Sequence, residues 1–401
     1  MVLKIYYASR SAVSLPITLN ATAFLSTLPR TDKLMYACPV DAEPLDRYRK
    51  GGYHPILLGS FLSDGRYKIL HKLGWGGYST VWAARDRKSH FLGTYVAVKI
   101  CLSERECDRI QRELNMLKKL ASKHAHSQHV VRLVDNFNTD GPSGKHQCLV
   151  FEHLGPSLSD AIDTRSSDGR LPGEIAKSIT EQALLGLDFL HQQKIAHGDL
   201  HTRNLAFALD AIDDVSEHDF IETLGRPEIG HAYRSNGKDL ESGIPKYIVR
   251  PARSSSLPLS KIIKIVDFVR APEFGDRLDY RVDLWSLRCL ILEIFVGQPP
   301  FDSFLITPKF LVDQMQELTD EPLPERWLGL WGTMSGDVAS EDPKTRLQEW
   351  LEEMYFDGER KEDLTAQDIG RLGHIIQKLL RFDSSGRASA RKILDDPLFR
   401  D

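Results

Sequence analysis

The sequence predicts an α+β protein of two unequal lobes, a small β-rich one followed by a larger, mainly helical one. Three observations predict it. At 401 residues the chain exceeds what one hydrophobic core usually supports. Short runs rich in β-branched and aromatic residues fill the stretch 67–151, whereas 3.6-residue periodicity dominates beyond it. Between the two regimes Gly155-Pro156 breaks the chain just after Phe151-Glu152-His153-Leu154, as a linker does. The division that follows is an N-terminal extension over 1–45, expected to be disordered, a small lobe over 46–154 and a large lobe over 155–401.

In the small lobe, strands are predicted over 67–70, 81–84, 95–100, 130–134 and 148–151, with one helix between the third and fourth. The first two flank Leu73-Gly74-Trp75-Gly76-Gly77-Tyr78-Ser79-Thr80-Val81. Glycines in such a loop let backbone N–H groups approach phosphates, because no Cβ intervenes and positive φ is cheap. An ordinary hairpin has the same composition. The third strand ends Val96-Ala97-Val98-Lys99, and an ammonium inside an apolar strand needs a partner. The helix that follows has Ile110, Leu114 and Leu117 on one face, and Glu113 beside that face is placed to reach back to Lys99. The alternative is a solvated Glu113.

In the large lobe Ile175, Ile179, Ala183, Leu187 and Leu190 form an apolar stripe that leads into His197-Gly198-Asp199-Leu200-His201-Thr202-Arg203-Asn204. Asp199 and Asn204 set a carboxylate and a carboxamide five residues apart after a helix, a spacing that suits phosphoryl transfer. An insert over 208–260, rich in turn formers and containing Arg253-Ser254-Ser255-Ser256, reads as a loop or partly disordered excursion. A β-like run then ends at Asp267-Phe268-Val269. Asp283-Leu284-Trp285-Ser286 opens a segment, 284–296, that is apolar on nearly all sides and predicts a helix buried at the centre of the lobe. His197 and His201 also have the spacing of a zinc pair, but Gly198 stands where the catalytic Glu of H-E-x-x-H belongs.

Composition narrows the function. With 41% hydrophobic and 27% charged residues the chain reads as globular. Residues 313–368 hold 16 acidic and 5 basic side chains, a balance of −11 within a total of −4, so the rest carries +7. No generally nucleic-acid-binding surface fits that distribution. The five cysteines are odd in number and form no C-x-x-C pair, which excludes a zinc ribbon and fits a reducing compartment, cytoplasm or nucleus. Residues 1–31 carry Lys4, Arg10 and Arg30 and no acid, a composition shared with mitochondrial transit peptides, which is the second reading. Arg288 and Glu293 interrupt the most apolar run, so no membrane span is predicted, and a monomer is expected.

Taken in order, these segments resemble the protein kinase superfamily over roughly residues 67–399. Within it the chain looks most like the serine/arginine-rich protein kinases, fungal ones in particular. The resemblance rests on the 73–82 loop, on the lead-in Gly51-Gly52-Tyr53-His54-Pro55 and on an insert between the catalytic loop and the metal Asp. It implies ATP in the interlobe cleft, contacted by Leu73, Gly74, Gly76, Gly77, Val81, Ala97, Lys99, Glu152 and Leu154. It implies Asp199 as the base, Lys99 with Glu113 on the phosphates, His201 at the catalytic-loop Lys position, and Asn204 and Asp267 as Mg²⁺ ligands. Serine hydroxyls in Arg/Ser-rich proteins are the implied substrates, and splicing regulation the implied setting. Ala271-Pro272-Glu273 looks like the A-P-E element and Arg387 like its partner.

Four substitutions and one deletion depart from the family. Gly198 replaces the Arg of H-R-D, which reads a phosphorylated activation loop. His201 replaces a Lys, Val269 the Gly of D-F-G, and Arg288 the Gly after Asp-x-Trp-Ser. Asp267 and Glu273 are six residues apart, a connection of at most about 20 Å, where kinases place a couple of dozen residues. A lost exon or a nucleotide-binding pseudokinase scaffold would each explain it. His-Gly-Asp-Leu-His-x-x-Asn also resembles small-molecule phosphotransferases, against which the A-P-E and Asp-x-Trp-Ser elements count. Finally, Glu317, Asp320, Glu321, Glu352 and Glu353 are the predicted docking surface for an Arg-rich partner; solvated helix faces are the alternative.

Overall fold

Alternation along the strands decides which face of the small lobe meets the core. In β5 (Tyr95–Cys101), Val96, Val98 and Ile100 point into one apolar cluster while Ala97 and Lys99 point the other way, toward the second lobe. The computed structural model describes residues 35–88, 95–103, 107–121, 127–165, 170–210, 212, 214–252, 257–267, 280–298, 307–319, 321–335, 347–358 and 362–400. Within them β2 (Phe61–Leu62), β3 (Tyr67–Gly76), β4 (Ser79–Asp86), β5, β6 (Leu133–Gly141) and β7 (Gly144–Glu152) form an antiparallel sheet in the order β2-β3-β4-β5-β7-β6. Helix α1 (Cys107–Ala121) lies between β5 and β6, with Leu114, Leu117 and Leu120 buried. The sequence places the fourth strand over 130–134; β6 instead starts at Leu133, because Val130 bridges Ile265 and Val131 bonds its carbonyl.

The large lobe is helical: α2 (Leu158–Arg165), α3 (Gly173–Gln192), α5 (Arg281–Val296), α6 (Pro308–Leu318), α7 (Glu325–Ser335), α8 (Leu347–Tyr355), α9 (Ala366–Leu379) and α10 (Ala390–Leu394), with α4 (Glu217–Leu224) belonging to the insert. Helix α5 is the predicted central helix, buried on nearly every side from Asp283 to Val296. The α3 stripe is displaced by one position at its start, where Ala176 is buried and Ile175 is exposed. Gly186 lets α3 approach closely: a Cβ there would lie 2.8 Å from the His129 carbonyl and from Ile265. Among the described residues no helix is long and apolar enough to cross a membrane.

The insert is ordered over most of its length, contrary to the expectation of a loose excursion. It contains α4 (Glu217–Leu224), β9 (Ile229–His231), β10 (Tyr233–Arg234) and β11 (Tyr247–Val249), and Ser216 caps α4 by accepting from Asp219 N. Phe220 stacks on Tyr95 with ring centroids 3.8 Å apart, and Val249 joins the cluster that covers the outer face of the sheet. Residues 35–45, assigned to a disordered extension, are packed as well. There β1 (Tyr36–Ala37) pairs with β10, and Tyr36, Val40 and Leu45 share a core with Ile248. Arg253-Ser254-Ser255-Ser256, residues 1–34 and 268–279 lie outside the described residues.

Strand β8 (Leu205–Leu209) pairs with β12 (Leu259–Ile265), Leu205 opposite Ile265. The insert therefore leaves and returns through one antiparallel pair, and Val266 N donates to Asn204 O at 2.9 Å. The catalytic loop before β8 and Asp267 after β12 are brought together whatever lies between.

Candidate active site

Lys99 is where the strand pattern meets the second lobe. Its Nζ donates to Glu113 Oε1 at 3.0 Å, the pairing anticipated from α1, and to Asp267 Oδ1 at 2.8 Å. Burial alone lowers the pKa of Lys99, but the charges of Asp267 and Glu113 outweigh it and raise it well above the lysine value. The same ammonium holds the Asp267 carboxyl below its ordinary range. Asp267 has φ +57°, a left-handed conformation that costs a non-glycine residue about 1–3 kcal/mol and that clusters at functional sites.

Asp283, at the start of α5, positions the catalytic loop. Fully buried, it accepts from His197 N and Gly198 N, both at 2.8 Å, and contacts His191 Nε2 at 3.0 Å. Gly198 has φ +83°, so a residue lacking Cβ suits this turn irrespective of any regulatory role for an Arg. His197 accepts from Asp199 N through Nδ1 at 3.1 Å and donates from Nε2 to Val266 O at 2.8 Å. Burial lowers its pKa and keeps it neutral. With both ring nitrogens engaged, it is not half of a zinc pair.

Asp199 itself is more than half exposed, its carboxyl held below the usual range first by the neighbouring His201 imidazole, 3.8 Å away. His201 Nδ1 accepts from Arg203 N at 3.2 Å, which caps the short helical turn, and its Nε2 lies 3.8 Å from the Asp199 carboxylate and 3.2 Å from Asn204 Nδ2. Asn204 donates through Nδ2 to Asp199 O at 2.8 Å. Its amide oxygen remains available as a ligand. Thr202 bonds Glu293 of α5 at 3.0 Å, tying down the end of the loop.

A cleft of about 570 Å³ opens between the lobes; Lys99 and Asp267 line it, whereas Glu113, Asp199, His201 and Asn204 are not among its lining residues. Leu73, Val81, Ala97, Lys99, Glu152, Leu154 and Asp267 line it, as the sequence anticipated, together with Phe151, Ala206 and Val266. Gly74, Gly76 and Gly77 are not among the lining residues, and none has positive φ. What the glycines provide is open space: a Cβ at Gly74 or Gly76 meets nothing within 4 Å. Glu152 lines the cleft, but its carboxylate is engaged by Lys264 at 2.8 Å and by Arg132 N at 2.8 Å. Sequence reasoning missed Pro251 and Ala252, insert residues that form one wall, with Ala252 N donating to Lys72 O at 2.8 Å. No local pattern announces them, although Pro251 follows an apolar run like those that were read as strands.

Of the predicted docking acids, Glu317, Glu352 and Glu353 are exposed. Glu321 is not free for a partner: it pairs with Arg381 at 2.6 Å and accepts from Phe382 N. Asp320 lies outside the described residues, as does Glu273. Arg387, its expected partner, bonds the Arg381 and Arg281 carbonyls and lies over Trp285.

A sheet lobe and a helical lobe, with a lysine–glutamate pair at the cleft between them and an Asp/Asn loop hydrogen-bonded to the strand end that carries Asp267, define a phosphotransferase of the kinase fold. The protein kinase domain model matches residues 67–214. A solved kinase domain superposes with a TM-score of 0.57 at 18% identity, covering 86% of this chain and 98% of that one, which supports the fold. The serine/threonine-protein kinase SRPK of Physarum polycephalum is 30% identical over 90% of this chain and 91% of its own. A serine/threonine protein kinase of Aspergillus fumigatus is 28% identical over 94% of both. The chain belongs to the serine/threonine protein kinases, of the SR-protein kinase type.

Proposed function

We propose that this kinase, using ATP and Mg²⁺, phosphorylates serine hydroxyls in Arg/Ser-rich proteins. The observation that carries the reading is one chain of contacts at the cleft: Lys99 bonds Glu113 and Asp267, Val266 N bonds Asn204 O, and Asn204 Nδ2 bonds Asp199 O, with Lys99, Val266 and Asp267 lining the cleft itself. The metal donors on offer are a carboxylate and an amide oxygen, hard ligands that fit Mg²⁺, which takes one or two protein ligands and completes its shell with phosphate oxygens and water. When bound, the ion neutralises charge on the phosphates and orients them. Asp267 and Asn204 would hold it. Lys99, kept charged and aimed by Glu113, contacts the phosphates. Asp199, ionised at neutral pH, accepts the proton of the serine hydroxyl. The scaffold reading rests on the short step from Asp267 to Glu273 and is not favoured, because Lys99, Glu113, Asp267, Asn204 and Asp199 are linked by hydrogen bonds and the chain is 30% identical to a serine/threonine-protein kinase over most of both chains.

The substrate class is supported by the relative's name and by charge: the exposed Glu317, Glu352 and Glu353 belong to a segment of net −11, which would concentrate a basic peptide. Competition tests it. Phosphate incorporation into an Arg-Ser repeat peptide should exceed that into a Glu-Ser or Gly-Ser peptide of equal length by at least about tenfold in kcat/KM, a difference of about 1.4 kcal/mol. Equal rates on all three would remove the Arg/Ser assignment and leave the kinase activity standing.

A further inference from the structure

The hairpin between β3 and β4, whose flanking Leu73 and Val81 line the cleft, carries three glycines within residues 74–77, with open space beside Gly74 and Gly76. Such a loop loses more conformational freedom than any other when it closes on phosphates. It is nevertheless held from behind. Tyr53, 1% exposed, donates its hydroxyl to Gly76 O at 2.7 Å, and Arg47 donates to that hydroxyl at 3.2 Å while lying over the ring at 4.9 Å. With Arg47 occupying an acceptor lone pair, the phenolic proton is directed to Gly76.

The root of the hairpin is tied to the same short stretch. Lys72, two residues before Gly74 and fully buried, pairs with Glu43, which also accepts from Tyr48, and Tyr48 packs on Tyr53 with centroids 5.6 Å apart. Tyr53 is in turn fixed to the rigid sheet. Ser143, in the turn between β6 and β7, donates to Tyr53 O at 2.7 Å and accepts from Gly51 N at 2.9 Å. Gly52 makes this turn possible, since a Cβ there would fall 1.8 Å from the Arg47 carbonyl. Residues 43–53 thus grip the hairpin at its root and at its tip, and do so without touching the cleft.

We infer that Tyr53 is a positioning residue for nucleotide: its hydroxyl holds the Gly76 carbonyl so that the hairpin stands near its nucleotide-bound position before nucleotide arrives. Preorganisation of this kind raises affinity by lowering the ordering cost of binding. The inference rests on the nucleotide reading of the cleft, and the test separates the two.

The experiment is calorimetric titration of the full chain with Mg·ATP. Tyr53→Phe removes one hydroxyl and keeps the ring, so Kd should rise about 2- to 10-fold, the range for one net hydrogen bond, with kcat changed less than about twofold. Tyr247→Phe is the control, since that hydroxyl accepts from Leu58 N at 3.0 Å on the far side of the sheet; its Kd should equal that of the unmodified chain. Arg47→Met, at a half-buried position outside the core, should raise Kd about twofold, because the hydroxyl is then free to turn from Gly76. It decides the matter should Tyr53→Phe fail to fold. No binding by the unmodified chain defeats the nucleotide reading and the inference with it. Binding by the unmodified chain with an unchanged Kd in Tyr53→Phe, or in Arg47→Met if that variant alone folds, overturns the inference only, as does an equal rise in Tyr247→Phe.

Discussion

Replacing Lys99 by methionine removes the charge at the meeting point of the two lobes and keeps most of the side-chain stem. In the unliganded protein the ammonium lies 3.0 Å from Glu113 and 2.8 Å from Asp267. Two unit charges at that distance attract by about 5–6 kcal/mol at an effective dielectric of about 20, but desolvation of the buried partners offsets most of it. Lys99 and Glu113 are 14% and 15% exposed, whereas Asp267 is 55% exposed and therefore screened. The contact with Asp267 contributes under about 1 kcal/mol. Stranding a mostly buried Glu113 costs more, so the variant should lose about 2 kcal/mol of stability. The sign with pH is determined by both partners. Lys99 has a raised pKa, so its contribution is complete below the ordinary lysine value and is lost only as pH rises through the raised one. Asp267 has a lowered pKa, so its contribution is complete above the ordinary carboxylate value and is lost as pH falls through the lowered one. The stability gap between the two proteins should therefore be flat from about pH 5 to about pH 9. Nucleotide binding loses a charge-assisted hydrogen bond of about 1.5–3 kcal/mol, or about 10- to 150-fold in Kd. Calorimetric titration with Mg·ATP reads the second effect and denaturant unfolding the first. A Kd within twofold of the unmodified protein would refute the assignment of Lys99 to the phosphates.

Asp199→Ala should abolish phosphate transfer while shifting the Kd for Mg·ATP less than about threefold; parallel loss of both would make Asp199 a structural group. Because the Asp199 pKa is lowered, the acid limb of the rate profile should not begin in the ordinary carboxylate range, and a midpoint above about pH 5 assigned to Asp199 by its loss in the variant would contradict this. Asp283→Ala leaves the buried His197 and Gly198 amides without their acceptor and should cost about 3 kcal/mol in denaturant unfolding, with kcat falling more than nucleotide affinity. Affinity for an Arg-Ser repeat peptide should fall as salt shortens the Debye length from about 10 Å at 0.1 M to about 3 Å at 1 M; an affinity independent of salt counts against electrostatic docking.

How much of this was legible depended on sequence distance. Lys99 and Glu113 could be paired from strand alternation followed by a helix face, because 14 residues separate them. The order of the insert could not. Its strands are two or three residues long, too short to show a period, and its partners are remote: Cys38 Sγ donates to Gly230 O across 192 positions. Residues 35–45 were misread for the same reason, since β1 has no partner until β10. Val130 and Val131 were read as the start of a strand of the sheet, but Val130 N bonds Ser127 O and Val131 N bonds Ile265 O, a choice no local pattern records. Glu321 looked like one of several surface acids because its partner, Arg381, is 60 residues further on. At the glycine hairpin one of the two stated reasons matches the structure, since space is open beside the backbone at Gly74 and Gly76, and the other does not, since none of its glycines has positive φ.

The measurement that bears most directly on the central claim is transfer of label from γ-labelled ATP, with Mg²⁺, to an Arg-Ser repeat peptide by the full chain and by its Asp199→Ala variant, with the modified residue located by mass spectrometry. The account predicts phosphoserine formed by the unmodified chain and a rate at least about 100-fold lower in the variant. Binding of Mg·ATP without any transfer, or equal rates for the two proteins, would contradict it.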